Sequence, residues 1–388
     1  MMIRKFLDKL RPSFEKGGKF HCFHSVFEGM ETFLYVPDTT SKSGCNIHDS
    51  IDSKRIMSIV VIALIPALLF GMYNIGYQNY AAAGQLASST WFDLFFYGFL
   101  AVLPKIIVSY IVGLAIEFAW AQYKGEEIQE GYLVSGILIP MIVPVNCPLW
   151  ILALAVAFSV VFIKEIFGGT GMNIFNVALA ARAFMFFSYP TKMSGDSVWI
   201  ANESILGFGN TLPDTFTQAT PLALVAQNAD TGYSLQDMII GLIPGSIGET
   251  SVIAIAIGAV ILLITGIASW KTMASVFIGG GLTAWLFQSL GMTGISWYEH
   301  IVLGGFCFGA VFMATDPVTS ARTEAGKYVY GFIIGVLAVI IRVMNPGYPE
   351  GMMLAILFMN MFAPLIDYCV VQRNISKRLK RMSDNNKQ

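Results

Sequence analysis

Pro140-Met141-Ile142-Val143-Pro144 and Met313-Ala314-Thr315-Asp316-Pro317 are the two short stretches on which the architecture turns. Each interrupts an apolar segment that is short for a full bilayer crossing. Proline removes a backbone donor and breaks a helix, and interruptions at corresponding positions of two halves point to broken helices around a central site. Working outward, ten apolar segments can be drawn, at about 56–73, 92–119, 132–145, 150–167, 173–189, 251–268, 273–291, 300–315, 328–343 and 351–370. The interrupted pair are the third and the eighth. Gly171-Met172 opens the fifth and Gly351-Met352 the tenth. Five segments per half is an odd number, which forces the halves into opposite topology. The expected fold is an all-α polytopic membrane protein with about ten transmembrane helices in two inverted five-helix repeats with broken helices. Membrane helices also tolerate proline and glycine for packing alone.

Composition supports the membrane reading. Of 388 residues, 55% are hydrophobic and 13% charged, against about 25% charged in a soluble domain. Several runs approach the roughly 20 residues that cross about 30 Å of hydrocarbon. A net charge of −1 gives no electrostatic case for nucleic acid. Cys22, Cys45, Cys147, Cys307 and Cys369 form no CxxC pair, which argues against a disulfide framework, a zinc site or an iron–sulfur cluster. His21, His24, His48 and His300 lack metal-ligand spacing. The basic start MMIRKFLDKLRPSFEKGGKF has no apolar h-region, so it does not read as a cleavable signal peptide.

Lys and Arg placement sets the expected orientation. The N-terminal extension and the tail from Arg373 to Lys387 hold most of the 24 basic residues. With those ends cytoplasmic, Lys124, Lys164, Lys271, Arg322 and Lys327 also fall near the inner face, and only Lys192 and Arg342 fall outside. The chain then divides into a cytoplasmic extension (1–54), a first membrane repeat (55–190), an external loop (191–250), a second repeat (251–370) and a basic cytoplasmic tail (371–388).

The external loop carries Asp214-Thr215-Phe216-Thr217-Gln218-Ala219-Thr220. A hydroxyl on such a loop can accept a covalent group that a buried hydroxyl cannot, although a Ser/Thr-rich loop is often only a solvated loop. Phe167-Gly168-Gly169-Thr170-Gly171-Met172-Asn173 precedes it, running on through Asn176 to Arg182-Ala183-Phe184. Asn173, Asn176 and Arg182 are polar groups at or inside the membrane edge, where such groups are costly and normally face a site; the alternative is that they cap and pair neighbouring helices. Asp316 and Asp367 lie near the inner ends of segments, where a carboxylate can bind a cation or a proton. Asp316-Pro317 suits a helix break equally well.

These motifs, in order, carry a resemblance. The FGGTGxNxxNxAxxxRAF run, Ser194-Gly195-Asp196 with Val198-Trp199, the Thr220 loop and Met313-Ala314-Thr315-Asp316-Pro317-Val318 are similar to the NqrB/RnfD family. Its members are membrane subunits of the Na⁺-translocating NADH:quinone reductase and of the related Rnf complex. The stretch His24-Ser25-Val26-Phe27-Glu28-Gly29-Met30-Glu31 resembles the quinone-reductase branch, since the Rnf member generally lacks that extension. The match covers about residues 20 to 370. It implies a bacterial inner-membrane component of a hetero-oligomeric reductase, with FMN attached to Thr220 as a phosphodiester by a flavin transferase and a noncovalent riboflavin in the membrane part. Electrons would enter from NADH on another subunit and leave to a quinone near the inner face, coupled to Na⁺ export. The family's quinone segments correspond to Gly113, Glu117, Glu130 and Tyr132, and its sodium-uptake acid to Asp367. Glu117 alone also reads as an ordinary interfacial acid. This chain departs from the pattern at Thr217 and Gln218 beside the acceptor, at Leu114 and Leu133 in the quinone segments, and in a longer loop between Trp199 and Asp214.

No GxGxxG follows a strand, so NADH is expected on another subunit. Gly279-Gly280-Gly281 and Gly304-Gly305 lie in or beside apolar segments and suit helix packing. The rivals are an Rnf-type component passing electrons between ferredoxin and NAD, a non-redox facilitator on the same inverted repeat, and a structural component holding no cofactor.

Overall fold

The computed structural model describes residues 2–14, 53–125, 131–213, 218–227, 229, 232–345, 347 and 350–385, with residues 20, 24, 27, 29, 31 and 44. Helix α1 is Met2–Phe14. The first membrane half contains α2 (Ser53–Ala82), α3 (Trp91–Lys124), α4 (Tyr132–Met141), α5 (Leu149–Phe158, continued by a π turn over Ser159–Glu165) and α6 (Val177–Ser188). The loop region holds three short helices, α7 (Pro190–Met193), α8 (Pro221–Ala226) and α9 (Leu235–Ile240). The second half contains α10 (Val252–Ile264), α11 (Trp270–Ser289), α12 (Trp297–Val302), α13 (Phe306–Phe308, continued by a π turn over Gly309–Met313), α14 (Glu324–Met344) and α15 (Met352–Asn385).

Every apolar segment drawn from the sequence contains helix, with the third ending its helix at Met141 and the eighth broken between Val302 and Phe306. Four described helices are long and apolar enough to cross a membrane: Lys54–Ala82, Trp91–Lys124, Glu324–Met344 and Met352–Asp384. Tyr132–Met141, Val177–Ser188 and Val252–Ile264 are shorter apolar helices. The chain is an all-α polytopic membrane protein.

Helix ends follow local chemistry. Thr90 and Asp93 form a capping box at the start of α3, and Gly125 closes that helix in the left-handed conformation at φ 69°. Ser251, Ser269 and Thr323 cap α10, α11 and α14 through their hydroxyls. Pro140 and Pro144 flank the end of α4, where the chain leaves the helix before α5. In the second half the corresponding segment breaks into α12, α13 and a π turn, ending at Asp316-Pro317.

The halves share much of their packing, although the extensive contact between α2 and α3 in the first half has no counterpart of comparable size between α10 and α11. Numbering segments one to five in each half, one touches three, two touches three and four, and five touches three and four, both in α2–α6 and in α10–α15. The halves join where α2 meets α10 and α6 meets α15, each segment pairing with its counterpart. Gly279 and Gly280 serve packing: an added Cβ would fall 2.3 Å from the Phe332 carbonyl oxygen and 2.4 Å from the Phe306 ring, respectively.

Aromatic residues mark two levels. Trp91, Trp150 and Tyr189 stand at one end of the bundle, and Trp120, Trp270 and Tyr328 at the other. At about 1.5 Å per residue, Trp91 and Trp120 are roughly 43 Å apart along α3, close to the ~40–45 Å of a bilayer with its interfaces.

Candidate functional site

Thr220 ends an extended segment and begins α8, with φ −68° and ψ 151°. Its Oγ1 accepts the Ala223 N–H at 3.2 Å, so the oxygen is oriented while the hydroxyl proton remains to donate elsewhere. Pro221 at the first helical position pre-sets the backbone. Gln218 holds the approach from two sides: its N–H donates to the Asp196 carbonyl at 2.9 Å, and its side-chain amide donates to the Tyr233 hydroxyl. Burial pushes the Tyr233 phenol above its ordinary pKa, against the opposing effect of the Gln218 bond. Asp214, Thr215, Phe216 and Thr217 lie outside the described residues. Leu222 of α8 is buried with Met238, Ile243 and Leu303, which seats the helix on the bundle.

A cavity of about 220 Å³ opens beside Thr220, walled by Arg182, Phe186, Asp196, Trp199 and Glu350. Arg182 comes from the middle of α6 and is buried. Its guanidinium pairs with Glu249 at 2.6 Å and with Glu350, and donates to the Ser246 hydroxyl at 3.3 Å. Arg342 of α14 donates from Nε to the Glu350 carbonyl at 3.0 Å, and also to the carbonyls of His300 and Leu303. Two arginines and two glutamates thus tie α6 of the first half to the second half directly behind Thr220. Burying a charge is costly unless it is paired, and here the pairing crosses between halves. Glu249 and Glu350 were not singled out in the sequence; each sits immediately before an apolar run, beside Gly248 and Gly351 respectively, and that placement is the signal they left.

A second cavity, of about 90 Å³, lies at the other end of α6, with Gly131, Lys164, Thr170, Asn173, Asn176 and Asp316 in its wall. Asn176 caps α6, its Oδ1 accepting from the N–H groups of Ala178 (3.0 Å) and Leu179 (3.2 Å). Its amide donates to Asp316 at 3.1 Å, across the boundary between halves. Asp316 also accepts from the Val318 N–H at 3.1 Å and the Thr319 hydroxyl at 3.0 Å, so it caps the turn that follows the broken segment. Thr170 Oγ1 is buried with no hydrogen-bond partner among the described residues, an orphaned polar atom that a ligand in this cavity could satisfy. The structure therefore brings Asn173, Asn176 and Asp316 together and sets Arg182 in the other cavity.

Of the four residues singled out for quinone, Gly113 and Tyr132 are in contact. Tyr132 is fully buried and donates to the Ser109 carbonyl at 2.9 Å. Glu117, four residues along α3, is buried in an ion pair with Lys164, and its Oε2 lacks a partner among the described residues. Glu130 lies outside the described residues. A Cβ on Gly113 would fall 1.9 Å from the Tyr132 ring. Gly113→Val should therefore displace Tyr132 and destabilise the protein by about 1–3 kcal/mol or more, seen as a lower unfolding temperature in detergent. An unchanged midpoint would show that the ring can move aside freely.

Asp367 lies on α15, apart from Asp316. Its Oδ1 accepts from the Thr323 N–H (2.9 Å) and hydroxyl (2.5 Å), and its Oδ2 from the Arg322 N–H (2.8 Å). The carboxylate thus ties α15 to the start of α14.

Polar cavities and cross-half ion pairs inside apolar helices define the class: a multi-pass membrane protein with interior sites, built from two similarly packed halves. The chain belongs to the NQR2, RnfD, RnfE family, whose model matches residues 40–376. It is 47% identical to the NqrB subunit of the Na(+)-translocating NADH-quinone reductase of Chromohalobacter salexigens, over 98% of this chain and 97% of that one. It is 44% identical to the protein of the same name from Ectopseudomonas mendocina and 42% identical to that of Pseudomonas aeruginosa, in each case over 98% of this chain and 100% of the relative.

Proposed function

We propose that this chain is the NqrB-type membrane flavoprotein of a Na⁺-translocating NADH:quinone reductase, an oxidoreductase and ion translocase. The observation that carries the reading is a threonine hydroxyl, Thr220, oriented in the wall of a 220 Å³ cavity beside a buried arginine, in a chain similar over its full length to NqrB subunits. The residues suit FMN held as a phosphodiester: Thr220 offers the ester oxygen, and Trp199 and Phe186 offer aromatic walls. In the second cavity, the Asn173 and Asn176 amides and the orphaned Thr170 hydroxyl suit the polar edge of a riboflavin. When bound, the flavins supply the electron chemistry; the protein positions them, excludes water and fixes the charges around them.

On this reading the chain sits in a bacterial inner membrane with both termini cytoplasmic and the 191–250 loop outside, a topology that the Lys/Arg asymmetry supports. A flavin transferase modifies Thr220. NADH binds another subunit, and quinone approaches the inner end of α3 near Gly113, Glu117, Glu130 and Tyr132. Flavin fluorescence should stay with the denatured polypeptide in a gel; a dark band from an intact, active complex would overturn the covalent attachment.

Asp367 and Asp316 are the acids we assign to Na⁺. A hard cation prefers oxygen ligands, and Asp367 holds two oxygens at a junction of α14 and α15. Asp367→Ala should raise the Na⁺ concentration for half-maximal quinone reduction with flavin content unchanged, and Asp367→Glu should recover part of the loss. A stable Asp367→Ala complex with the original Na⁺ dependence would leave the residue as a helix tether only.

A further inference from the structure

The loop that follows Trp199 contains a two-residue hairpin whose composition is at odds with a watery setting. Ile205 and Phe208 exchange both backbone hydrogen bonds, each at 2.9 Å. The two central residues, Leu206 and Gly207, both have positive φ, 50° and 86°. Such turns are normally Asn-Gly or Gly-Gly, because the left-handed position crowds a Cβ against the backbone carbonyl, a cost glycine avoids and asparagine offsets with local hydrogen bonds but leucine does not. Leu206 is the only described non-glycine residue with positive φ, and its side chain is 83% exposed. A strained leucine aimed at water has no compensation, so its surroundings must supply one.

The legs of the hairpin are fixed. Tyr97 of α3 donates its hydroxyl to the Glu203 carbonyl at 2.6 Å, and the Tyr80 hydroxyl accepts the Gly209 N–H at 3.0 Å. Asn79, buried at the end of α2, donates to the carbonyls of Ala201 (2.8 Å) and Asn210 (3.0 Å) and accepts the Asn210 N–H. With the legs held, the tip extends an aromatic row on the first turns of α3. Phe208 packs edge-on against Phe96 at 4.9 Å, Phe96 stacks on Phe92 at 5.4 Å, and Trp91 stacks on Phe95 at 5.9 Å. Trp91 and Phe92 are themselves exposed, at the level where this membrane-spanning helix begins. Aromatic rings on such a helix end mark the boundary between headgroups and acyl chains, and the hairpin is continuous with that lipid-facing surface.

We propose that the Ile205–Phe208 hairpin is a membrane-interface anchor, inserting Leu206 into the lipid at the Trp91 level while Glu203 and Ser204 remain in water. The exposed leucine then loses no hydrophobic contact by taking the left-handed position, because its side chain lies in acyl chains. The anchor fixes the segment that carries Trp199, a wall of the Thr220 cavity, relative to the bilayer rather than only to the helices.

The test uses the assembled complex in liposomes, with a nitroxide on a cysteine introduced by Leu206→Cys and Cys22, Cys45 and Cys369 replaced by serine. Collision with oxygen, which concentrates in lipid, is compared with collision with a water-soluble nickel chelate. Ser204→Cys, two residues away and also exposed, is the reference. The label at 206 should favour oxygen and the label at 204 should favour nickel. Equal nickel access at the two positions would place the tip in water and overturn the proposal. So would a label at 206 shielded from both colliders, which would mean that another protein of the complex covers it.

Discussion

Thr220→Asn should give a folded, membrane-inserted protein with no covalent flavin fluorescence. Asparagine is as good a helix cap as threonine, so it can accept the Ala223 N–H that Thr220 accepts now and keep α8 in place. It cannot form the ester. Thr220→Ala loses both cap and hydroxyl, and a lost cap costs only about 0.5–2 kcal/mol, too little to unfold the protein. Both variants should therefore be dark in the gel at normal abundance, a complete loss of signal, while Thr217→Ala stays fluorescent. A fluorescent Thr220→Asn band, or an adduct mapped to Thr215 or Thr217, would move the attachment elsewhere in the loop.

Arg182→Met should cost about 3–5 kcal/mol, the usual penalty for removing one partner of a buried ion pair. The substitution leaves Glu249 buried without the cation that now sits 2.6 Å away, and leaves Glu350 facing it with the same charge. Because the pairs join α6 to the second half, the loss should appear as a large drop in unfolding temperature of the detergent-solubilised protein. Adding Glu249→Gln to Arg182→Met should recover part of the drop, since it removes the stranded carboxylate; that coupling is what a double-mutant cycle measures. If Arg182→Met unfolds at the original temperature, the ion pairs contribute nothing to holding the halves together.

The membrane segments were legible because hydropathy records burial in lipid directly: the limits 92–119 and 328–343 fall inside Trp91–Lys124 and Glu324–Met344. The interrupted segments were also legible, since proline states its effect locally. What the chain hides is pairing at a distance. Glu117 and Lys164 are 47 residues apart, and Arg182 and Glu350 are 168 apart; nothing in local composition says that they meet. The same limit applies to Asn173, Asn176 and Arg182, which the sequence presents together as polar groups that face a site. Arg182 lies six positions after Asn176 on α6, which moves it about 9 Å along the axis and turns it by roughly 240°. Proximity in sequence therefore became separation into two cavities.

That separation makes α6 a gauge block between the two cavities. Its cap is bonded to Asp316 of the second half and its middle to Glu249, at the end of the loop that leads into that half. Inserting a single residue between Asn176 and Arg182 would lengthen the interval by about 1.5 Å and swing the guanidinium by about 100° away from its carboxylates. Neither bond could be kept without breaking the other. Related chains can thus differ in length in the loop from Trp199 to Asp214 and still build both sites, but the interval from Asn176 to Arg182 should carry no gap in any relative that keeps them.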